Sequence, residues 1–312
     1  MNSGPDAIGR PVRVVSIGFA VGKSLSEAAD LVDREGERGA DLIALPEVFM
    51  DQRDDALDRL DGETVRTMSA LAAKHRTYVV CPIDRWDGER RFNSNVLLDR
   101  QGEIACIYDK VFPYWSELDH TPPVSPGEDV PVHAADFGRI GTATCFDANF
   151  PEVWKRLADQ GAELVIFSSA YSAGTTLQAH ALTHHYYIVS STRCRDCLVC
   201  DITGEPILYE KGDDVTITRV TLDLDRCIYH LNFNTEKRDK LLKEHTGDVM
   251  MEKLYRREEW FLLKAVRPGV SARALAKEYG MEELRDYQNR SRREIDKMRG
   301  WTFGTKTIEG TS

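Results

Sequence analysis

The stretch GTATCFDANFPEVWKRLADQGAELVIFSS, residues 141–169, sets the fold class. Gly141–Phe146 reads as a buried strand, Glu152–Asp159 as a helix and Glu163–Ser169 as a second strand. Working outward, the same alternation recurs on both sides. Upstream, Val12–Phe19 is a β-branched apolar run, and Ser24 or Ser26 caps a helix whose apolar positions Ala28, Leu31 and Val32 fall at helical spacing. Asp41–Glu47 is a strand that stops at Pro46, Thr64–His75 a helix and Tyr78–Ile83 the strand after it. Phe92–Asp99 and Glu103–Lys110 flank Arg100-Gln101-Gly102, a hairpin signal. Downstream, a helix over Thr176–Tyr186 leads into Tyr187–Ser191, followed by an antiparallel set at Leu198–Thr203, Pro206–Tyr209 and Val215–Leu222. Alternation mixed with hairpins implies a layered α/β architecture with a mixed sheet.

The 312 residues, 42 % of them hydrophobic, suffice for one large domain or two small ones. A net charge of −10 disfavours a polyanion-binding surface over the whole molecule. The longest apolar runs are strand-sized, far short of the roughly 18 residues of a membrane helix, so no membrane partner is expected. Asp6 and Arg10 stand where a leader would carry its apolar region, so no secretion signal is expected. Seven cysteines, an odd count in a long chain, do not read as a disulfide framework and place the protein in the cytoplasm by default. The division expected is a hydrolase-sized body over 1–245 and a helical C-terminal extension over 246–312. The character changes after about Asp225, and the extension carries more charge, net +3 against −13 for the remainder.

Three reactive side chains emerge at the ends of buried strands, where clefts of α/β proteins form. They are Glu47 in Leu45-Pro46-Glu47, Lys110 in Tyr108-Asp109-Lys110, and Cys145 in Thr144-Cys145-Phe146-Asp147. Singly, a strand-end Glu or Lys is most often solvated, and an apolar-flanked Cys most often an inert hydrophobe. Together they supply a base, a cation and a thiol, the set that covalent acyl transfer requires.

The segments LPE at 45–47, YDKVFP at 108–113 and CFDANFPE at 145–152 resemble, in order and spacing, the signature motifs of the nitrilase-like carbon–nitrogen hydrolase superfamily. The stretch after the nucleophile, Trp154 to Ala170, is also similar, and the resemblance covers about residues 12–225. It implies a four-layer α-β-β-α sandwich with mixed central sheets and a Glu-Lys-Cys triad, here Glu47, Lys110 and Cys145. A second family glutamate matches Glu117, with Glu128 a less well-placed competitor. The chemistry follows from the residue types. A free thiol, pKa about 8.5, needs help to ionise; a nearby ammonium favours the thiolate and a carboxylate accepts the proton. Lys110 and the backbone N–H of Phe146 suit a developing oxyanion. Glu47 then protonates the leaving amine and later activates water, while Glu117 orients Lys110 or the substrate. No metal or organic cofactor is required. CFD and FPE look more like the amidase and N-carbamoyl-amine hydrolase branches. The glutamate seven residues after the lysine in KVFPYWSE also resembles nitrilases. A small-molecule amide or carbamoyl substrate is favoured, with a nitrile as the alternative.

Where many members carry Asn-rich turns and a Gly-x-Ser element, this chain has HHYYIVSSTRCRDC, which makes Tyr171, His184, Arg193 and Arg195 specificity candidates beside Tyr114, Trp115 and Asp147. For the helix-borne His and Tyr, packing is the commoner role. Cys194, Cys197 and Cys200 invite a metal site, but three local ligands are one short of a structural zinc site, and packing is the default. Residues 271–297 resemble a helix-turn-helix with Gly280 at the turn and Arg290, Arg292 and Arg293 on the second helix. A ligand-sensing or DNA-binding protein is therefore the rival from another class. A tail of +3 on a body of −13 disfavours nucleic acid. Homo-oligomerisation through the extension is expected instead, with Trp260, Phe261, Leu262, Leu263 and Trp301 as anchors.

Overall fold

A computed structural model describes residues 7–50 and 53–303. Asp6, on which the leader reading leans, and residues 304–312 of the extension lie outside the described residues. Residues 11–224 form one compact unit; residues 225–303, with 7–10, form a second.

In the first unit the expected alternation is present: β1 (Pro11–Phe19), α1 (Leu25–Glu37), β2 (Leu42–Ala44), α2 (Glu63–His75), β3 (Tyr78–Trp86), β4 (Arg91–Leu98) and β5 (Ile104–Asp109). After a short α3 (Trp115–Leu118) come β6 (Val132–Ala135), β7 (Gly138–Thr144), α4 (Pro151–Asp159), β8 (Leu164–Ser169), α5 (Gly174–His184), β9 (Tyr187–Thr192), β10 (Asp196–Cys200), β11 (Pro206–Lys211) and β12 (Val215–Asp223). Of the two candidate caps, Ser24 starts α1: its hydroxyl accepts from the Glu27 N–H while the Glu27 carboxylate accepts from the Ser24 N–H, a capping box.

Two six-stranded sheets run β12-β1-β2-β3-β4-β5 and β11-β10-β9-β8-β7-β6. Each has a core of three parallel strands, β1-β2-β3 in one and β7-β8-β9 in the other, with antiparallel partners on both sides. The two halves thus repeat one layout that the amino-acid sequence does not show as a repeat. Strands buried on both faces read as continuous apolar runs, which is why β1 and β8 were legible. The helices α1 and α2 cover one sheet through Ala28, Val32, Val65, Met68 and Ala72; α4 and α5 cover the other through Val153, Trp154, Leu157, Leu177 and Ala181. The sheets meet face to face, where the Ser16 hydroxyl donates to the Ser190 carbonyl at 2.6 Å and the Ser168 hydroxyl to the Leu45 carbonyl at 2.9 Å. The layering is α-β-β-α.

The second unit departs from a purely helical extension. Its strands β13 (Cys227–His230), β14 (Val249–Tyr255) and β15 (Trp260–Ala265) form an antiparallel sheet, order β13-β15-β14, packed with α6 (Thr235–Glu244), α7 (Ala272–Glu278) and α8 (Leu284–Arg299). Phe261 and Leu263 are fully buried in this unit's own core and Leu262 is 1 % exposed, so none of the three presents an exposed anchor. The helix–Gly280–helix pattern is present, but Arg290 is bridged to Glu282 at 2.7 Å and Arg273 to Glu283 at 3.0 Å. Among the described residues no helix is long and apolar enough to cross a membrane.

Trp154 ties the helical layer to the end of β7. It is fully buried, stacked on His180 at 4.2 Å, and its indole N–H donates to the Asp147 carbonyl at 2.9 Å. Trp154→Ala is expected to cost about 3–5 kcal/mol, the range for emptying a buried aromatic site. Urea unfolding checks this; a loss below about 1 kcal/mol would contradict the packing described.

Candidate active site

Cys145 opens a five-residue 3-10 turn, Cys145–Asn149, where β7 ends. Its φ of 45° is unusual for a side chain with a Cβ and marks a strained strand-to-turn reversal. The Asp147 side chain braces that reversal. One carboxylate oxygen accepts from the Tyr108 hydroxyl at 2.6 Å and the Thr144 N–H at 2.9 Å, the other from the Phe112 N–H at 2.9 Å. Asp147 is completely buried, and burial lifts its carboxyl to about 6 despite these donors. It therefore braces the turn that carries Cys145 and the loop after β5.

Glu47 follows β2, Lys110 follows β5, and Glu117 lies in α3. The structure brings all three together, at most 5 % exposed. The Lys110 ammonium donates to Glu47 Oε1 at 2.9 Å and to Glu117 Oε2 at 2.6 Å. The other Glu47 oxygen accepts from the Ala170 N–H at 2.8 Å; Glu117 Oε2 also accepts from the Tyr114 N–H at 2.7 Å. Glu128 is instead 85 % exposed, 3.8 Å from Arg90. Burial opposes ionisation of Glu47. The charges of Lys110 and Arg193 and hydrogen bonds from Lys110 and Asn93 outweigh it, and the carboxyl sits below the ordinary glutamate range. Burial also opposes the Lys110 ammonium, yet Glu47, Cys145 and Glu117 hold it above an ordinary lysine.

The thiol behaves otherwise than the residue types suggest. Burial and the Glu47 charge push Cys145 up to about 12, outweighing Lys110 and the Ala170 N–H, and the thiol hydrogen-bonds Glu47. At rest Cys145 is a thiol beside a carboxylate, because burial and the Glu47 charge outweigh the pull of the lysine.

The specificity candidates separate. Arg193 donates from Nε to the Glu47 carbonyl and from Nη2 to the Val48 carbonyl at 2.7 Å, clamping the chain at Val48, whose φ is 37°. Arg195 donates to the Asp213 carbonyl at 2.7 Å. His184 is buried and stacked between His180 and Tyr186, so it belongs to the helical packing layer. Arg193 thus holds backbone at Glu47 and Val48, and His184 packs within the helical layer. Tyr171 is half-exposed and electrostatically coupled to Cys145, Glu47 and Lys110. Tyr114 packs edge-on against Phe146 at 5.3 Å, and Trp115 is 74 % exposed. Cys197 approaches Ser16 and Thr218 of the facing sheet, while Cys200 packs with the α4–α5 layer, so the two point to opposite faces. The half-exposed Cys194 donates to the Ala170 carbonyl at 3.3 Å.

Two contributors escaped the sequence reading. Tyr108 was seen only as a flank of Lys110. Asn93 lies in the all-buried β4, and its Nδ2 donates to both Glu47 and Glu117 at 2.7 Å each. The available signal was a pair of asparagines flanking Ser94 just before the apolar run Val96–Leu98, where buried polar side chains need partners.

The carbon-nitrogen hydrolase family model matches residues 19–228. A hydrolase of the pqqF 5′ region of Pseudomonas protegens is 29 % identical over 170 residues, 50 % of this chain and 59 % of that protein. The chain thus spans little more than half of that relative's length. The deaminated glutathione amidase of Synechocystis is 25 % identical over 197 residues, 54 % of this chain and 71 % of the relative. Among solved structures, an amidase from Nesterenkonia sp. superposes with a TM-score of 0.62 at 20 % identity, covering 78 % of this chain and 99 % of that one. Saccharomyces cerevisiae Nit3, a nitrilase-superfamily member, superposes with a TM-score of 0.60 at 19 % identity, covering 72 % and 93 %. With more than half of its length matched by the family model and its fold shared with these structures, the chain belongs to the carbon–nitrogen hydrolase family.

Proposed function

We propose that this protein is an amidase that hydrolyses the carbon–nitrogen bond of a small amide or N-carbamoyl compound through a thioester on Cys145. The observation that carries the reading is the Lys110 ammonium held between Glu47 and Glu117 beside the Cys145 thiol. Family relatives named as amidases support the amide over the nitrile, and forms of the Nesterenkonia amidase bear acrylamide or acetamide adducts on their active-site cysteine.

In this reading the Cys145 sulfur attacks the substrate's carbonyl carbon as its proton passes to Glu47. Lys110 and the Phe146 N–H stabilise the negative charge that develops on oxygen. The Glu47 carboxylic acid then protonates the departing nitrogen, the C–N bond breaks, and ammonia or an amine leaves with the acyl group on sulfur. Water attacks the thioester while Glu47 takes its proton; collapse expels the sulfur, which recovers its proton from Glu47. The sum is amide plus water giving carboxylic acid plus amine, with no cofactor consumed. Glu117 holds Lys110 in place, and Tyr114, Trp115 and Tyr171 form the rim that meets the acyl group.

Purified full-length chain is expected to release ammonia from a panel of small amides and ureido acids, with a transient acyl mass on Cys145. Cys145→Ala should lower kcat by more than about a thousandfold, and Glu47→Gln by about a hundredfold or more. Full activity in Cys145→Ala would end the thioester reading.

The pH profile tests the resting state separately. Glu47 is held below its usual value, so kcat/KM should fall only as acid protonates it. Cys145 stays protonated until about 12, so no rise is expected through pH about 8.5, where an ordinary thiol ionises. A rate climbing about tenfold there would mean the thiolate is preformed.

A further inference from the structure

Asn93 is 1 % exposed and touches all three charged members of the site. Its Nδ2 donates to Glu47 Oε1 and to Glu117 Oε1, each at 2.7 Å, and its main-chain carbonyl accepts from the Lys110 N–H at 2.8 Å. The Oδ1 atom is buried with no hydrogen-bond partner. That unpaired oxygen is informative twice. Turned over, the amide would set its oxygen against two carboxylates, so the donor-inward orientation is the one the charges enforce. A buried carbonyl without a partner also costs stability, so packing alone does not account for an amide at this position.

The electrostatics say what the amide does. Glu47 faces Lys110 after β5, Arg193 after β9 and Cys145 at the end of β7; Glu117 faces Lys110 and the Asp84 carboxyl of β3. Two carboxylates sharing one ammonium repel, and such pairs ordinarily retain a proton between them. A proton held there would occupy the base before the thiol could use it. Two N–H donors from one rigid amide, one to each carboxylate, offset that repulsion and favour the ionised Glu47.

We propose that Asn93 is a positioning residue that keeps Glu47 ionised beside a second carboxylate, so that Glu47 is free to accept the Cys145 proton. The inference rests on the reading of Glu47 as the base. Its buried Oδ1 places Asn93 behind the carboxylates, away from the substrate.

The test uses the full chain and iodoacetamide, which needs no knowledge of the substrate. In that reaction the Cys145 sulfur–carbon bond forms as the carbon–iodine bond breaks, iodide leaves and the thiol proton passes to Glu47. Rates are followed by peptide mass across pH, with the half-exposed Cys194 as an internal reference. Asn93→Leu should raise the acid-side midpoint for Cys145 by about one pH unit, a rate about tenfold lower near the wild-type midpoint. The Cys194 profile should stay put, and urea unfolding should show that the variant is still folded. An unchanged acid-side midpoint, or a loss equal at every pH, overturns the proposal. Should Asn93→Leu unfold, Asn93→Asp keeps the size and adds a third carboxyl; it should shift the midpoint further upward, and no shift again overturns the proposal. Glu47→Gln separates the two readings. If it keeps the wild-type acid limb, the base assignment itself fails; if it loses the limb while the Asn93 variants keep it, only the role of Asn93 fails.

Discussion

The site depends on a single buried ammonium. Lys110 is 1 % exposed, and a charge so placed is tolerable only with partners in good geometry. One carboxylate would neutralise it; this fold supplies two, which leaves an excess negative charge in the interior. The surroundings answer that excess with oriented donors: the Ala170 and Tyr114 N–H groups, the Asn93 amide and the nearby Arg193 guanidinium. Removing any one partner would expose a buried charge rather than merely delete a contact, so the network behaves as a unit.

The duplicated sheet layout explains how residues so far apart in the chain meet. Glu47 follows β2 and Ala170 follows β8, the middle parallel strands of the two halves, and the Ala170 N–H reaches the Glu47 carboxylate across the interface. Cys145 follows β7, beside β8. Packing the sheets face to face therefore brings the carboxyl ends of equivalent strands to one place. Asn95 of β4 adds a cross-sheet bond to the Thr144 hydroxyl, one residue before the nucleophile.

What was legible in the sequence was what is local. Strands buried on both faces announce themselves as apolar runs, and a charged or reactive residue at the end of such a run stands out; Glu47, Lys110 and Cys145 were found that way. The strands of the second unit were not, because β14 breaks its apolar run with the adjacent charges Glu252 and Lys253 and so lacks the alternation that marks a strand. Non-local commitments were also invisible. Nothing around Arg193 says that its guanidinium is used up on the Glu47 and Val48 carbonyls, and nothing around Asp147 says that three donors converge on it. The thiol's resting state depends on a balance of burial and charge from four separate segments, which no short motif encodes.

That balance decides how the site must work. A thiol held near 12 offers almost no thiolate at neutral pH, so attack has to be coupled to proton transfer within the same assembly. The base is then useful only while ionised and within hydrogen-bond reach of sulfur. The geometry meets both demands on Glu47: Lys110, Asn93 and Ala170 fix its carboxylate, and Arg193 fixes the backbone that carries it. Lys110, with two carboxylates already bound, is poorly suited to generate a thiolate in advance and well suited to meet an oxyanion as it forms. In the proposed mechanism the same ammonium that would activate a lone cysteine stabilises charge that appears only during the reaction.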